Sequence, residues 1–175
     1  ALDVLRLERR GRLREVGSHA VWSVSSGRRG CGAHQLRDDN LDTFWQSDGE
    51  LPHRVDLQFG RRTNVSAILI HVDYVLDETY TPSVVSVSAG NDPHDMRTLG
   101  VLSLSRPSGW VLLEVRRPLR AFCLQVAVRV NEGSGRDTRV RQMKVYSPAE
   151  ETVVSALSKP AAFSTQECQM FSRIR

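Results

Sequence analysis

The sequence has 175 residues, 40% hydrophobic and 25% charged, which fits one globular domain with short appendages. No run approaches the ~18–20 apolar residues of a membrane-spanning helix, and no charged-then-apolar leader opens the sequence, so neither a membrane nor a secretory route is expected. The net charge of +4 raises a nucleic-acid reading. Against it, 24 Lys and Arg meet 20 Asp and Glu, the basic residues are spread along the chain, and aromatics reach only 6%, too few for a base-stacking platform.

In chain order, residues 3–11 read as a short helix, with Asp3 as N-cap and Gly11 as the stop. Strand chemistry follows. Val55, Leu57 and Phe59 alternate with Asp56 and Gln58, the period-two pattern of a half-buried strand. Residues 68–72 are a short run, apolar but for His71, of strand length, and 84–89, 101–104, 110–115, 122–130 and 140–146 continue the series. Turn residues separate them at 90–93, 106–109 and 133–135. No helical stripe longer than about three turns occurs between residues 16 and 148, so an all-β antiparallel sandwich or barrel is predicted. Residues 1–14 form an N-terminal extension, 15–148 the β domain, and 149–175 an extended tail whose Phe163, Met170, Phe171 and Ile174 suit docking on a partner.

Chemical motifs are sparse. Cys31, Cys123 and Cys168 are odd in number and far apart, so neither a zinc site nor a redox pair is suggested, and a reducing compartment fits. The five His show no metal-ligand spacing, and there is no nucleophile elbow, phosphate loop or HExxH string. Asp38, Asn40 and Asp42 match the start of a calcium loop. The pattern then fails, because Thr43 stands where Gly is needed and Gly49 where Glu is needed. A turn that caps its own backbone amides is expected instead.

The same stretch, with Thr43, Trp45 and Ser47 followed by Val55-Asp56-Leu57, is similar to the discoidin-like and galactose-binding-like sandwiches, in which the Trp packs beneath the turn. Further strings tighten the likeness: residues 15–26, Trp45 to Gly49, Asp77-Glu78-Thr79-Tyr80-Thr81-Pro82-Ser83, Pro107-Ser108-Gly109-Trp110, Gly135-Arg136-Asp137-Thr138 and Arg141-Gln142. In this order they resemble the DOC domain, and within it the DOC subunits of the anaphase-promoting complex, a ubiquitin ligase. The resemblance runs from about residue 7 to 148, and Ile174-Arg175 matches the family's Ile-Arg ending.

The resemblance implies a jelly-roll β-sandwich without catalytic chemistry, cofactor or metal. It implies a substrate-recognition and processivity subunit that forms, with a propeller (WD40) coactivator, a co-receptor for the destruction box, an Arg-x-x-Leu degron. The degron would meet loops 73–82 and 131–141 through Asp77, Thr79, Tyr80, Asn131, Ser134, Arg136, Asp137, Thr138 and Arg139. Asp137 is also suited to orienting Arg136 or Arg141 structurally. Ile174 and Arg175 would dock in the groove of a tetratricopeptide subunit, with the protein in nucleus and cytoplasm and no nucleic-acid or membrane partner. The sequence departs from the family pattern at Ser134, where Asn is usual, at Arg139, where His is usual, and at Thr79, which keeps the hydroxyl of a Ser. The alternative is a galactose-binding-like module for carbohydrate or lipid, usually disulfide-braced and extracellular.

Overall fold

The computed structural model describes residues 2–149. The tail, with Ile174 and Arg175, lies outside the described residues. Helix α1 (Leu2–Arg9) opens the chain. Asp3 sits inside its first turn instead of capping it, where a carboxylate still complements the helix dipole, and Gly11 ends it with φ +69°. The strands are β1 (Leu13–Glu15), β2 (Ala20–Val24), β3 (Trp45–Gln46), β4 (His53–Asp73), then a one-turn helix α2 (Tyr74–Asp77), β5 (Pro82–Gly90), β6 (Met96–Ser103), β7 (Ser108–Asn131), β8 (Arg139–Val140) and β9 (Gln142–Pro148).

The architecture follows from two long strands. β4 and β7 pair antiparallel from His53↔Val128 to Asp73↔Ser108, with register breaks between Gln58 and Thr63 and between Val65 and Ala67. At those breaks the ribbon folds over itself. Val55, Leu57 and Phe59 of the first half of β4 then share one core with Ile68, Ile70 and Val72 of its second half. One layer runs β2, β4, β7, β5, β6, and the other β1, β9, β4, β7. This folded two-layer ribbon is the predicted jelly-roll sandwich.

The apolar run 68–72 is explained by burial on both faces. Ile68, Ile70 and Val72 point between the layers, while Ala67 and Leu69 form a second cluster with Val4 of α1 and Tyr146. Tyr146 also donates to Glu8 Oε2 at 2.8 Å, which ties the helix to this outer face. The turn after β2 caps its own amides as expected: Asp38 accepts from the Asn40 amide and Asn40 from the Asp42 amide, both at 3.0 Å. Trp45 is fully buried beneath it and donates to the Ser26 carbonyl at 2.9 Å.

Candidate functional site

Both ends of the folded ribbon emerge at one pole of the sandwich. β4 ends at Asp73 there and β7 at Asn131, so the two loops singled out by sequence are adjacent. Asp73 accepts from the Val75 amide at 3.0 Å and from Ser108 Oγ at 2.9 Å, which starts the first loop. Burial alone would raise the Asp73 pKa, but these bonds to the ionised form outweigh it and hold it below the usual carboxylate value.

Asp77 is the hinge of the site. It is a buried residue, and its carboxylate takes a two-pronged bond from Arg141, Nε to Oδ2 and Nη2 to Oδ1, each 2.9 Å. Arg139 Nη1 approaches the same Oδ1 at 3.4 Å. Arg141 is itself buried and donates also to the Leu41 carbonyl at 2.8 Å. Arg139 donates to Gln46 Oε1 at 3.0 Å and packs its guanidinium on two rings, 4.2 Å from the Tyr80 centroid and 4.5 Å from that of Phe44. One carboxylate thus faces two guanidiniums. The excess positive charge rests on Arg139, the more exposed of the two at 23% of its side chain.

The second loop is pinned from beneath. Asn131 is buried and donates to the Gly135 and Asp137 carbonyls, each at 3.0 Å. Thr138 is buried, exchanges backbone and hydroxyl bonds with Ser47, and donates from Oγ1 to the Tyr80 carbonyl at 3.3 Å. His53 Nε2 lies 2.6 Å from the Arg136 carbonyl. Gly135 approaches Thr79 so closely that a Cβ on it would collide with the Thr79 carbonyl. Glu78 takes φ +47°, a left-handed conformation unfavourable for its side chain and maintained by this packing.

Of the nine sequence-selected loop residues, the structure therefore exposes Thr79, Ser134 and Arg136, half-exposes Tyr80, Asp137 and Arg139, and buries Asp77, Asn131 and Thr138. The buried three position the others. Arg141 is oriented by Asp77 and not by Asp137, whose Oδ1 is buried without a partner. The sequence missed Phe44 and Gln46, which hold Arg139, and Val75 and Leu76, which project from α2 at 76% and 63% exposure. The legible hints were the aromatic beside Trp45 and the family string Trp45 to Gly49, which contains Gln46 but gives it no role. Among the described residues, no three His, Cys, Asp or Glu side chains converge as a metal site would require.

Comparison with known proteins adds a family to this geometry. The chain is similar to a family 32 carbohydrate-binding module of Clostridium perfringens NanJ solved with galactose, with TM-score 0.67 over 77% of this chain and 99% of that one, at 16% identity. It is also similar to an F5/8 type C domain from Bacteroides fragilis, with TM-score 0.64, 13% identity, and 79% and 98% of the two chains covered. Identities this low speak for the jelly-roll fold alone. By sequence, the chain is 47% identical over 177 residues to anaphase-promoting complex subunit 10 of Bos taurus, covering 99% of this chain and 94% of that protein. The Homo sapiens subunit is 46% identical with the same coverage, and the Saccharomyces cerevisiae subunit DOC1 is 36% identical over 80% of this chain and 58% of that protein. The family model described as anaphase-promoting complex, subunit 10 matches residues 2–173, and the chain belongs to that family.

Proposed function

We propose that this protein is a non-catalytic recognition and processivity subunit, and that its ribbon-end pole forms a destruction-box co-receptor with a propeller coactivator. The observation that supports this most directly is the mutual locking of loops 73–82 and 131–141. Buried bonds through Asp77, Asn131 and Thr138 fix both loops, while Thr79, Tyr80, Arg136 and Arg139 face outward with hydrogen-bonding and stacking capacity. A fixed face loses little entropy on binding an extended peptide. Such a face is small, so the degron needs a second one. Two weak faces on one scaffold raise the effective concentration and lengthen residence, so more ubiquitins transfer per encounter.

Ile174 and Arg175 would anchor the subunit in the groove of a tetratricopeptide subunit, where burying Ile174 contributes ~1.5–3 kcal/mol. Residence in nucleus and cytoplasm belongs to the same reading. The test is fluorescence anisotropy of a labelled destruction-box peptide with coactivator and full-length protein together. Arg139→Ala is expected to weaken ternary binding about tenfold, the scale of one charge-assisted bond, while coactivator alone binds the peptide as before. Ternary affinity unchanged by both Arg139→Ala and Tyr80→Ala would sink the co-receptor reading.

A further inference from the structure

The opposite pole, where the β4–β7 ribbon folds over, carries a second charged surface. A cleft of about 310 Å³ there is lined by Arg14, His19, Arg61, Arg62, Asn64 and Arg120 among others, and no carboxylate lines it. These basic residues are far apart in sequence. The fold gathers them: Asn64 pairs with Arg120 across the ribbon, Arg14 pairs with Ser147 on β9, and Arg61 and Arg62 sit at the register break. All four arginines are exposed, and none joins an ion pair among the described residues, whose four pairs use Arg6, Arg139, Arg141 and Lys144. Arg62 is held over the bend by its bond to the Arg120 carbonyl at 3.3 Å, and Asn64 Oδ1 is buried without a partner.

Like charges gathered within a Debye length of about 10 Å repel one another, so such a cluster gains most when an anion fills it. Guanidinium forks match carboxylates two bonds at a time. No Phe, Tyr or Trp lines the cleft, which leaves only the small His19 ring for the stacking that single-stranded nucleic acid relies on. The sequence beyond Ala149, whose amide bonds to the Arg12 carbonyl near this pole, continues with Glu150 and Glu151. Two carboxylates cannot balance four guanidiniums. We propose that this cleft docks a carboxylate-rich segment of a neighbouring protein subunit, leaving the degron pole free; this rests on family membership and not on the degron reading.

The probe is a short labelled peptide alternating Glu and Ser, titrated with the full-length protein, beside its Gln-for-Glu counterpart. Binding is expected for the Glu peptide only, falling with salt, and about tenfold weaker for Arg61→Glu/Arg62→Glu and for Arg120→Ala. Thermal melts identify any variant that fails to fold, and the milder Arg120→Ala then decides. Destruction-box binding by the Arg61→Glu/Arg62→Glu variant with coactivator should stay unchanged, which separates this cleft from the other pole. Co-expressed with the complex and with Ile174-Arg175 intact, the same variant should recover less of it. Three results would each overturn the proposal: equal peptide affinity in both arginine variants, tighter binding of a charge-matched single-stranded oligonucleotide, or a tenfold gain in Glu150→Gln/Glu151→Gln showing that the chain's own tail fills the cleft.

Discussion

Asp77 shows how a residue at the base of a loop serves by being hidden. Its side chain is 1% exposed and holds two arginines, so its removal leaves buried positive charge without a partner. Asp77→Asn is expected to destabilise the protein by about 3–5 kcal/mol, a large share of the ~5–15 kcal/mol typical of a domain. Urea denaturation checks this; a loss below roughly 1 kcal/mol would mean that the pair is effectively solvated. The resemblance placed Asp77 among the degron residues; its burial beneath two arginines was not legible, because a motif records identity and order, not burial. It linked Arg141 with nearby Asp137, whereas the actual partner lies 64 positions away. Arg139 adds a difference of substance. Where His would lose its charge within the physiological range, Arg stays charged, and Phe44 and Tyr80 hold it in place.

At the scale of elements, periodicity found the strands from β4 onward, missed the short β1, β2 and β3, and mistook the continuity of the long ones. Residues 55–59 and 68–72 read as two strands because 60–64 are mostly exposed at the corner and lose the alternation, yet extended backbone continues across the register break into one β4, whose ladder with β7 resumes at Thr63. The same holds for β7. Alternation reports which face is buried; it is blind to a ladder that turns a corner. Conversely, 140–146 splits into β8 and β9, because Val140 pairs with Trp45 of β3 while the chain from Gln142 onward pairs with β4. Gly135 illustrates a loop position read only as turn punctuation. Its φ of −56° is open to any residue, so space and not conformation demands Gly. Gly135→Ala must push the second loop off Thr79. Melting temperature is expected to fall by only a few degrees, since the contact lies outside the core, while ternary degron affinity drops severalfold. Anisotropy beside a thermal scan checks both, and undiminished affinity would show that the loops act separately.

Across the whole molecule, the folded ribbon separates two poles and makes them one cooperative unit, since both core layers share β4 and β7. Stability should therefore report titration anywhere along the ribbon. His71 lies on β4 behind the site, stacked edge-on to Trp110 at 5.2 Å. Burial pushes its pKa below the usual 6.5; Asp73 and Asp77 pull it up, and Arg141 presses it further down. The unfolded chain then binds a proton at His71 before the folded one does, so stability falls as pH drops below 6.5. Asp38 and Asp73 act in a lower window. Burial raises each, but hydrogen bonds outweigh it: from Thr43, the Asn40 amide and Gln142 for Asp38, and from Ser108 and backbone amides for Asp73. Their stabilisation is complete above the unfolded value of 3.8 and is lost as pH falls through their lowered values. Melting temperature against pH should thus show two declining limbs on the acid side, below 6.5 and below 3.8. His71→Gln should flatten the first limb and leave the second; Asp73→Asn should shrink the second and lower the plateau above it. An unchanged first limb in His71→Gln would place that titration elsewhere in the chain.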